Sequence, residues 1–555
     1  MTATLAINGQ SIKATPGLTL FDHAEALSID VPTSCRKQGK CRECMLEIVE
    51  GMSALSPMTE PERHLKGNFR LACQSSVVAA EGHVRCHTMR RGTMRIERHA
   101  FGLPLTHTPF HLDPAVTRDG DRILIDRVEV DRSTGPIHGL AIDLGTTTVV
   151  LRLLDLESGE LIADTSFENP QRFAGSEVMS RIAYDTDHPG RLLLRTLAGY
   201  LTHAIEKFPV NPRSIYEVVV VGNSTMRDLF FRQSVHSIGQ SPYRSITEIE
   251  LAEGRRVTTS LTQTGLRSLL PIHPKARVYG APIISGHVGA DAAAAMLAVD
   301  LAHEDRLAAI MDIGTNTELI VGNRHRILAA SCPAGPAFEG GAIACGMPAL
   351  DGAIEEVRID DEGACHLRVI GDVTPAGICG SGLIDTLSEL LRTGRMNELG
   401  RFEDGPQRIV LHQGESPDNE IYLLESDVNE LAQAKGANVA GLQVVFSSYG
   451  IDCDDLSLFY LAGGFGRHLN VEASQRIGLV PSIDPAKIVQ AGNTAIEGAT
   501  IALLSRTKRQ ELEDLVRRVE HCRLETHPAF FDFFVDGCQF KPLKCKPTET
   551  IPCGQ

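Results

Sequence analysis

Four cysteines near the start of the chain, Cys35, Cys41, Cys44 and Cys73, are spaced C-x5-C-x2-C-x28-C. Three share one loop, and thiolates are soft, charged ligands suited to iron or zinc. Structural zinc sites usually pair two C-x2-C knuckles, whereas this stretch offers three close cysteines and one lone distant one, which favours a [2Fe-2S] cluster. Cys86, a short way past Cys73, reads as a free thiol at a domain edge rather than a substitute ligand. Cys522, Cys538, Cys545 and Cys553 lack this spacing and read as structural or incidental.

A second set of residues is built for phosphate. Leu140-Ala-Ile-Asp-Leu-Gly-Thr-Thr-Thr-Val-Val and Ile310-Met-Asp-Ile-Gly-Thr-Asn-Thr-Glu-Leu-Ile form an internal repeat whose aspartates, Asp143 and Asp312, stand 169 positions apart. Each copy reads as an apolar strand ending in Asp, a Gly-Thr turn, a second strand, a tight turn and a third strand. Gly145 and Gly314 let the backbone approach phosphate oxygens, while Thr146, Thr147 and Thr148, with Thr315, Asn316 and Thr317, supply donors without bulk. Asp143 and Asp312 are then placed to hold Mg2+, directly or through water. One Asp-x-Gly-Thr alone is an ordinary hairpin; the matched pair points to ATP.

Further motifs follow in order. Ile284-Ser-Gly-His-Val-Gly-Ala-Asp-Ala-Ala-Ala-Ala and Gly492-Asn-Thr-Ala-Ile-Glu-Gly-Ala-Thr read as two small-residue helices able to cross closely. Between them, Gly463, Gly464, Phe465 and Gly466 end a strand in a turn where a nucleoside could lie against the backbone. Val218-Val-Val-Val-Gly222-Asn223 is a buried strand whose carboxyl end either meets ligand or simply turns. Cys379-Gly-Ser-Gly opens a helix, with nucleotide contact and packing both open. Glu339 has two readings: it orients the attacking water or binds Mg2+ through water, or it is a plain carboxylate at a helix start. His287 and His468 read as hinge or surface residues.

The elements that must position these groups are legible too. Leu5–Ala14 reads as a hairpin, Thr19–Leu27 as a short helix and Cys44–Gly51 as a strand after the cysteine loop. This order resembles the plant-type [2Fe-2S] ferredoxins, and the longer first gap resembles the adrenal type. The paired phosphate turns, connecting helices and glycine loop resemble the superfamily of actin, sugar and acetate kinases and chaperone ATPases. The fold class is therefore multidomain: an α+β ferredoxin-like β-grasp domain over 1–90, a linker over 91–136, and a two-lobed α/β actin-like (ribonuclease H-like) ATPase over 137–555. Its lobes are expected at about 137–300 and 301–490, with a return helix and C-terminal segment at 491–555.

Both modules in one chain resemble the reductive activators of corrinoid-dependent methyltransferases. The likeness also rests on Ser331-Cys-Pro-Ala-Gly-Pro-Ala-Phe-Glu-Gly-Gly, on Gly346-Met-Pro-Ala-Leu-Asp-Gly-Ala-Ile and on Phe530-Phe-Asp-Phe-Phe-Val-Asp-Gly. The chain departs from better-known members in residues 91–136, which are shorter and rich in Pro, His and Arg; a homodimer stays open, though not through that segment. The resemblance implies one-electron reduction of a corrinoid protein from Co(II) to Co(I), with an upstream electron donor. A plant-type cluster sits near about −400 mV, and every ~59 mV of deficit lowers a one-electron equilibrium tenfold, so ATP is expected to add free energy by favouring one conformation. The alternative is a small-molecule kinase or regulatory ATPase with a redox-sensing ferredoxin domain.

Composition narrows the classes. A formal charge of −16 argues against nucleic acid as a partner, and the cationic run Arg85, Arg90, Arg91, Arg95, Arg98 reads as a solvated linker. Apolar residues at 43% and charged residues at 22% suit a soluble globular protein, and no run of eighteen uncharged apolar residues is present to span a membrane. The N-terminus lacks the basic start and apolar run of a signal peptide, so a cytoplasmic location is expected.

Overall fold

Asn8 and Gly9 both take positive φ, 50° and 82°, the backbone a tight hairpin requires, and strands Thr4–Ile7 and Gln10–Lys13 pair antiparallel across them. This hairpin belongs to a computed structural model describing residues 3–89, 102–104, 110–403, 405, 407–414, 420–464 and 466–544. Arg90, Arg91, Arg95, Arg98, Phe465, Cys545 and Cys553 lie outside the described residues. The N-terminal sheet runs in the order Gln10–Lys13, Thr4–Ile7, His83–Thr88, Met45–Glu50, Phe69–Leu71. Helix Leu20–Ala26 buries Leu20, Phe21 and Ala24. Its start is fixed by a reciprocal capping box in which Thr19 and Asp22 satisfy each other's amides.

The two-lobed region consists of two six-stranded sheets built alike. In the first, His138–Leu144 pairs antiparallel with Thr148–Asp155 and parallel with Ile215–Gly222. In the second, Ala308–Asp312 pairs antiparallel with Thr317–Gly322 and parallel with Leu458–Ala462. The repeat read in the sequence is thus a repeat of topology, and it makes Gly222-Asn223 the counterpart of Gly463-Gly464. Helices Ala290–Ala298 and Thr494–Leu504 cross between the lobes. Their approach is so close that a Cβ on Gly498 would lie 2.0 Å from the Ala294 carbonyl oxygen. The second lobe also carries a small sheet, Cys365–Val369, Ala353–Ile359, Gly377–Ile378, covered by helix Gly380–Arg392, whose deeply buried residues include Leu383, Ile384 and Leu387.

The segment 91–136, expected to be a linker, is folded over part of its length. Strands Val116–Asp119, Arg122–Ile125 and Val128–Arg132 form a three-stranded meander. Gly120-Asp121 makes its first turn, with Gly120 at φ 64°, and Val116, Ile123 and Ile125 are buried. Polar residues on the outer face hide that short alternation in a composition-based reading. The meander is tied to lobe one by Tyr216 Oη donating to Asp131 (2.6 Å) and by the Arg118–Glu157 ion pair (2.9 Å).

Gly498→Val should lower stability by about 1–3 kcal/mol, the cost of forcing bulk into a filled crossing, as a fall in the denaturant midpoint. Gly254→Val, at a turn where a Cβ would meet nothing within 4 Å, is strained by its φ of 72° but leaves the crossing intact, so it should not loosen the lobes to added nucleotide.

Candidate functional site

The cysteine loop is held in an uncommon backbone. Arg36, Lys37, Gly39 and Arg42 take φ of 53°, 66°, 71° and 64°, three of them without the freedom of glycine. The turned backbone aims the amides of Cys41 and Gln38 at the Cys35 thiol and that of Gly39 at Cys73. Burial raises the Cys35 thiol, but those amides outweigh it and hold the group below its ordinary value. Cys44 donates to Cys73 across 3.4 Å, which brings Cys73 down to about 6 while Cys44 is held far up. Cys44 and Cys73, 3.4 Å apart, and the hydrogen-bonded Cys41 and Cys35 would together supply the four thiolates that hold an iron-sulfur cluster. Four converging thiols with inward amides fit a [2Fe-2S] cluster. Cys86 does not join them: it is fully buried in the sheet core and pushed up to about 12 by burial alone.

This loop is anchored to lobe one. Glu43, between two cysteines, accepts from Ser34 Oγ (2.6 Å) and His203 Nε2 (3.1 Å), while its carbonyl accepts from Tyr200 Oη (2.8 Å). Burial would raise the Glu43 carboxyl, yet His203 and Ser34 hold it below the usual range. Tyr184 Oη donates to the His64 carbonyl (2.8 Å). Both tyrosines sit on lobe-one helices, Val178–Asp187 and Leu192–Glu206.

Between the lobes lies a cavity of about 500 Å³. Asp143, Gly145, Thr146, Thr147 and Thr148 line it from one lobe, and Asp312, Gly314, Thr315, Asn316, Gly463 and Gly464 from the other. Each phosphate turn is backed by a glycine of the adjacent parallel strand: a Cβ on Gly222 would lie 2.6 Å from the Leu144 carbonyl, and one on Gly463 2.3 Å from that of Ile313. Asn223 Nδ2 donates to Thr146 Oγ1 (2.9 Å) and Asn169 Nδ2 to the Gly145 carbonyl (2.9 Å). Behind the same turn, fully buried Arg181 donates to the Thr146 carbonyl (2.7 Å), its guanidinium drawn down to about 9 chiefly by burial.

The cavity is rich in desolvated carboxylates. Burial, then Asp291, pushes Asp143 to about 7, although Asn493 Nδ2 donates to it at 3.1 Å. Asp312 also reaches about 7, raised by burial and then by Asp291 and Asp143. Asp291 rises to about 6, and Glu318, facing Asp291 and Asp312, is raised further. Such a set fits Mg2+, which hard oxygen ligands hold and whose charge removes their repulsion. Glu339 bridges the lobes, accepting from Thr147 Oγ1 (2.8 Å) and Thr315 Oγ1 (2.7 Å), hydroxyls themselves 3.0 Å apart. Burial raises it while both threonines pull it down.

Two expected contacts stand behind the cavity rather than in it. Thr317 is fully buried within its strand, and the Gly466 carbonyl accepts from Gln490 Nε2 (3.2 Å). His468 does reach the wall, as do Cys379, Gly380 and Ser381. Sequence reasoning missed Asp291, Glu318, Asn493 and Arg181. Asp291 had a signal, an acid inside the small-residue helix motif, and Asn493 another, as N-cap of the second such helix. Arg181 had none, since a helix surface and a buried helix both accept arginine.

Cys44→Ser should abolish the visible spectrum of the reconstituted protein, whereas Cys86→Ser should keep it. A separate prediction concerns pH. Folded, Asp143 and Asp312 keep protons up to about pH 7 that an unfolded chain releases near ~3.9; the stability this gives is full below ~pH 4 and is lost as pH rises to about 7. Addition of Mg2+ and ADP should therefore raise Tm more at pH 8 than at pH 5.5, and D143N/D312N should lose that difference.

Three family profiles match the chain: the 2Fe-2S iron-sulfur cluster binding domain over residues 4–78, the RACo middle region over 138–304, and the C-terminal domain of RACo, the ASKHA domain, over 306–551. The corrinoid activation enzyme RamQ of Eubacterium limosum is 32% identical over 447 residues, covering 76% of this chain and 73% of that protein. The [Co(II) methylated amine-specific corrinoid protein] reductase of Methanosarcina barkeri is 24% identical over 428 residues, 72% and 76% of the two chains. A solved reductive activator for corrinoid, iron-sulfur protein superposes with a TM-score of 0.71 at 25% identity, over 97% of this chain and 98% of that one. With a cysteine quartet and a two-lobed phosphate cleft at the expected places, this chain belongs to the RACo family of reductive activators of corrinoid proteins.

Proposed function

We propose that this protein uses ATP to return one electron to the cobalt of an oxidised corrinoid protein, taking Co(II) to Co(I). One observation carries the reading: Glu339 joins Thr147 of one lobe to Thr315 of the other in the cleft where a γ-phosphate would lie, while lobe one also grips the cysteine loop through Tyr200 and His203.

Held by Cys35, Cys41, Cys44 and Cys73, a [2Fe-2S] cluster supplies the one-electron transfer. Gly145, Thr146, Thr147, Thr148, Gly314, Thr315 and Asn316 receive the phosphates through amides and hydroxyls. Asp143 and Asp312, helped by Asp291 and Glu318, hold Mg2+ directly or through water. Gly463 and Gly464 leave room for the nucleoside. Arg181 places a positive charge behind the first phosphate turn, where triphosphate needs it. Glu339 turns from its threonines to orient the attacking water.

ATP favours the closed lobes and so the conformation that engages the corrinoid protein and alters cobalt ligation; hydrolysis resets it. A second cavity of about 1280 Å³, walled by Glu47 and Arg172 on one side and by Pro336, Met347 and Phe534 on the other, changes shape whenever the lobes move. An upstream donor reloads the iron site in the cytoplasm, and the protein works as a monomer or homodimer. Among the described residues no helix is long and apolar enough to cross a membrane.

Reduced protein, ATP and a Co(II) corrinoid protein mixed anaerobically should give Co(I) absorbance. Cys41→Ser should abolish it. Asp312→Ala should remove the ATP dependence, at least tenfold in yield or rate, with the iron-sulfur spectrum intact. Equal Co(I) formation with and without ATP would overturn the reading.

A further inference from the structure

Although the chain carries a formal charge of −16, the loop that holds three of its four cluster cysteines is cationic. Between Cys35 and Arg42 stand Arg36, Lys37, Lys40 and Arg42, and no acid. Lys37 is neutralised by Asp22 (3.2 Å) and Glu25 (2.7 Å). Arg36 and Lys40 are exposed and Arg42 half-buried. On the neighbouring segment Arg63 and Lys66 are exposed as well, the Lys66 ammonium lying 5.2 Å over the Tyr184 ring. Two nearby acids are spent elsewhere: Glu43 on Ser34 and His203, Glu62 on Arg70 at 2.9 Å. Glu60 is the exposed acid beside them.

Exposure of the thiols makes this collar relevant to electron transfer. Cys44 and Cys73 are 0% and 8% exposed, whereas Cys35 and Cys41 are half-buried. The thinnest cover over the quartet is therefore at Cys35 and Cys41, whose chain neighbours Arg36, Lys40 and Arg42 are cations. Tunnelling falls steeply with distance, so a donor must approach there, and a partner of opposite charge is steered in fastest.

We propose that Arg36, Lys40, Arg42, Arg63 and Lys66 form the docking surface for a small, acidic, one-electron donor protein that reloads the cluster. The donor loses one electron and the cluster gains it; no bond is made or broken. Such encounters are brief, small in area and salt-sensitive, as befits a partner that must leave before the next turnover. The proposal rests on the function above only in that the four thiols hold a redox centre.

The test compares wild type with R36E/K40E in stopped-flow reduction of the intact holoprotein, using a reduced, strongly acidic ferredoxin as donor and reduced methyl viologen, a cation, as small reductant. Expected at low ionic strength is an approximately tenfold fall in the second-order rate with the ferredoxin, a flatter salt dependence, and an unchanged or faster rate with viologen. R36Q/K40Q should fall between. Three outcomes overturn the proposal: equal ferredoxin rates, equal loss with both reductants, or a shift in cluster midpoint potential that accounts for the rate. Failure to assemble a cluster in wild type would sink the functional reading itself, whereas an intact cluster with unaffected rates sinks this inference alone.

Discussion

Like charge gathered in a place with little water is the constraint on which the molecule turns. Asp143 sits on lobe one, Asp312 and Glu318 on lobe two, and Asp291 on a connecting helix. Each of Asp143, Asp312 and Glu318 is raised first by burial and then by another member of the set. Holding these charges together is opposed by repulsion when they are ionised. Under the proposed function, magnesium with triphosphate would reverse the sign, the carboxylates holding the cation and the amides, hydroxyls and Arg181 charge receiving the phosphate oxygens. A ligand moves an equilibrium only by its differential affinity for the two states, and here that difference is electrostatic and located at the lobe boundary.

The two halves prepare for that ligand in the same way. Each places an aspartate at the end of a central strand, a Gly-Thr turn beyond it, and a glycine from the next parallel strand against the backbone just past the aspartate. At Gly222 and Gly463 a side chain would collide with that backbone, so neither turn could sit as deep if any other residue replaced them. Symmetry ends at the bridge. Glu339 comes from lobe two alone, in the turn that follows the third strand there as Pro170–Ala174 follows it in lobe one, and its carboxylate reaches threonines of both phosphate turns.

Much of this was readable beforehand, and the reasons differ by residue. The cysteine quartet and the paired Asp-x-Gly-Thr turns are legible because chemistry fixes both residue type and spacing. The hairpin at Asn8-Gly9 is legible because few residues accept that backbone. Asp291 and Glu318 were hidden because the line of sequence does not show which face of an alanine helix or strand turns to the cleft. Arg181 was hidden for a stronger reason: a buried guanidinium is tolerated only where carbonyl oxygens and an anion meet it, and that setting exists only after the helix Val178–Asp187 packs behind the first phosphate turn. The meander at 116–132 escaped because its strands are four or five residues long and polar on one face.

Placement of the ferredoxin domain on lobe one gives the nucleotide a short physical route to the iron site. Asn169 holds the first phosphate turn at both ends, its side chain donating to Gly145 and its amide to the Thr147 carbonyl at 2.7 Å. Next to it Glu168 pairs with Arg172, which also reaches Glu47 at 3.4 Å. Glu47 lies on the strand Met45–Glu50 that starts at Cys44. Contiguity of this kind carries coupling only if some element along it has two arrangements. Along this route Thr147 is held by Glu339, and under the proposed function the turn is the element that would exchange that partner for phosphate. The iron loop is fixed by Tyr200 and His203 to the same lobe, so under the proposed function it would move with lobe one as a unit, and what a docked corrinoid protein would sense is the gap between that lobe and the Pro336–Met347 wall of the other, not a distortion of the thiol cage.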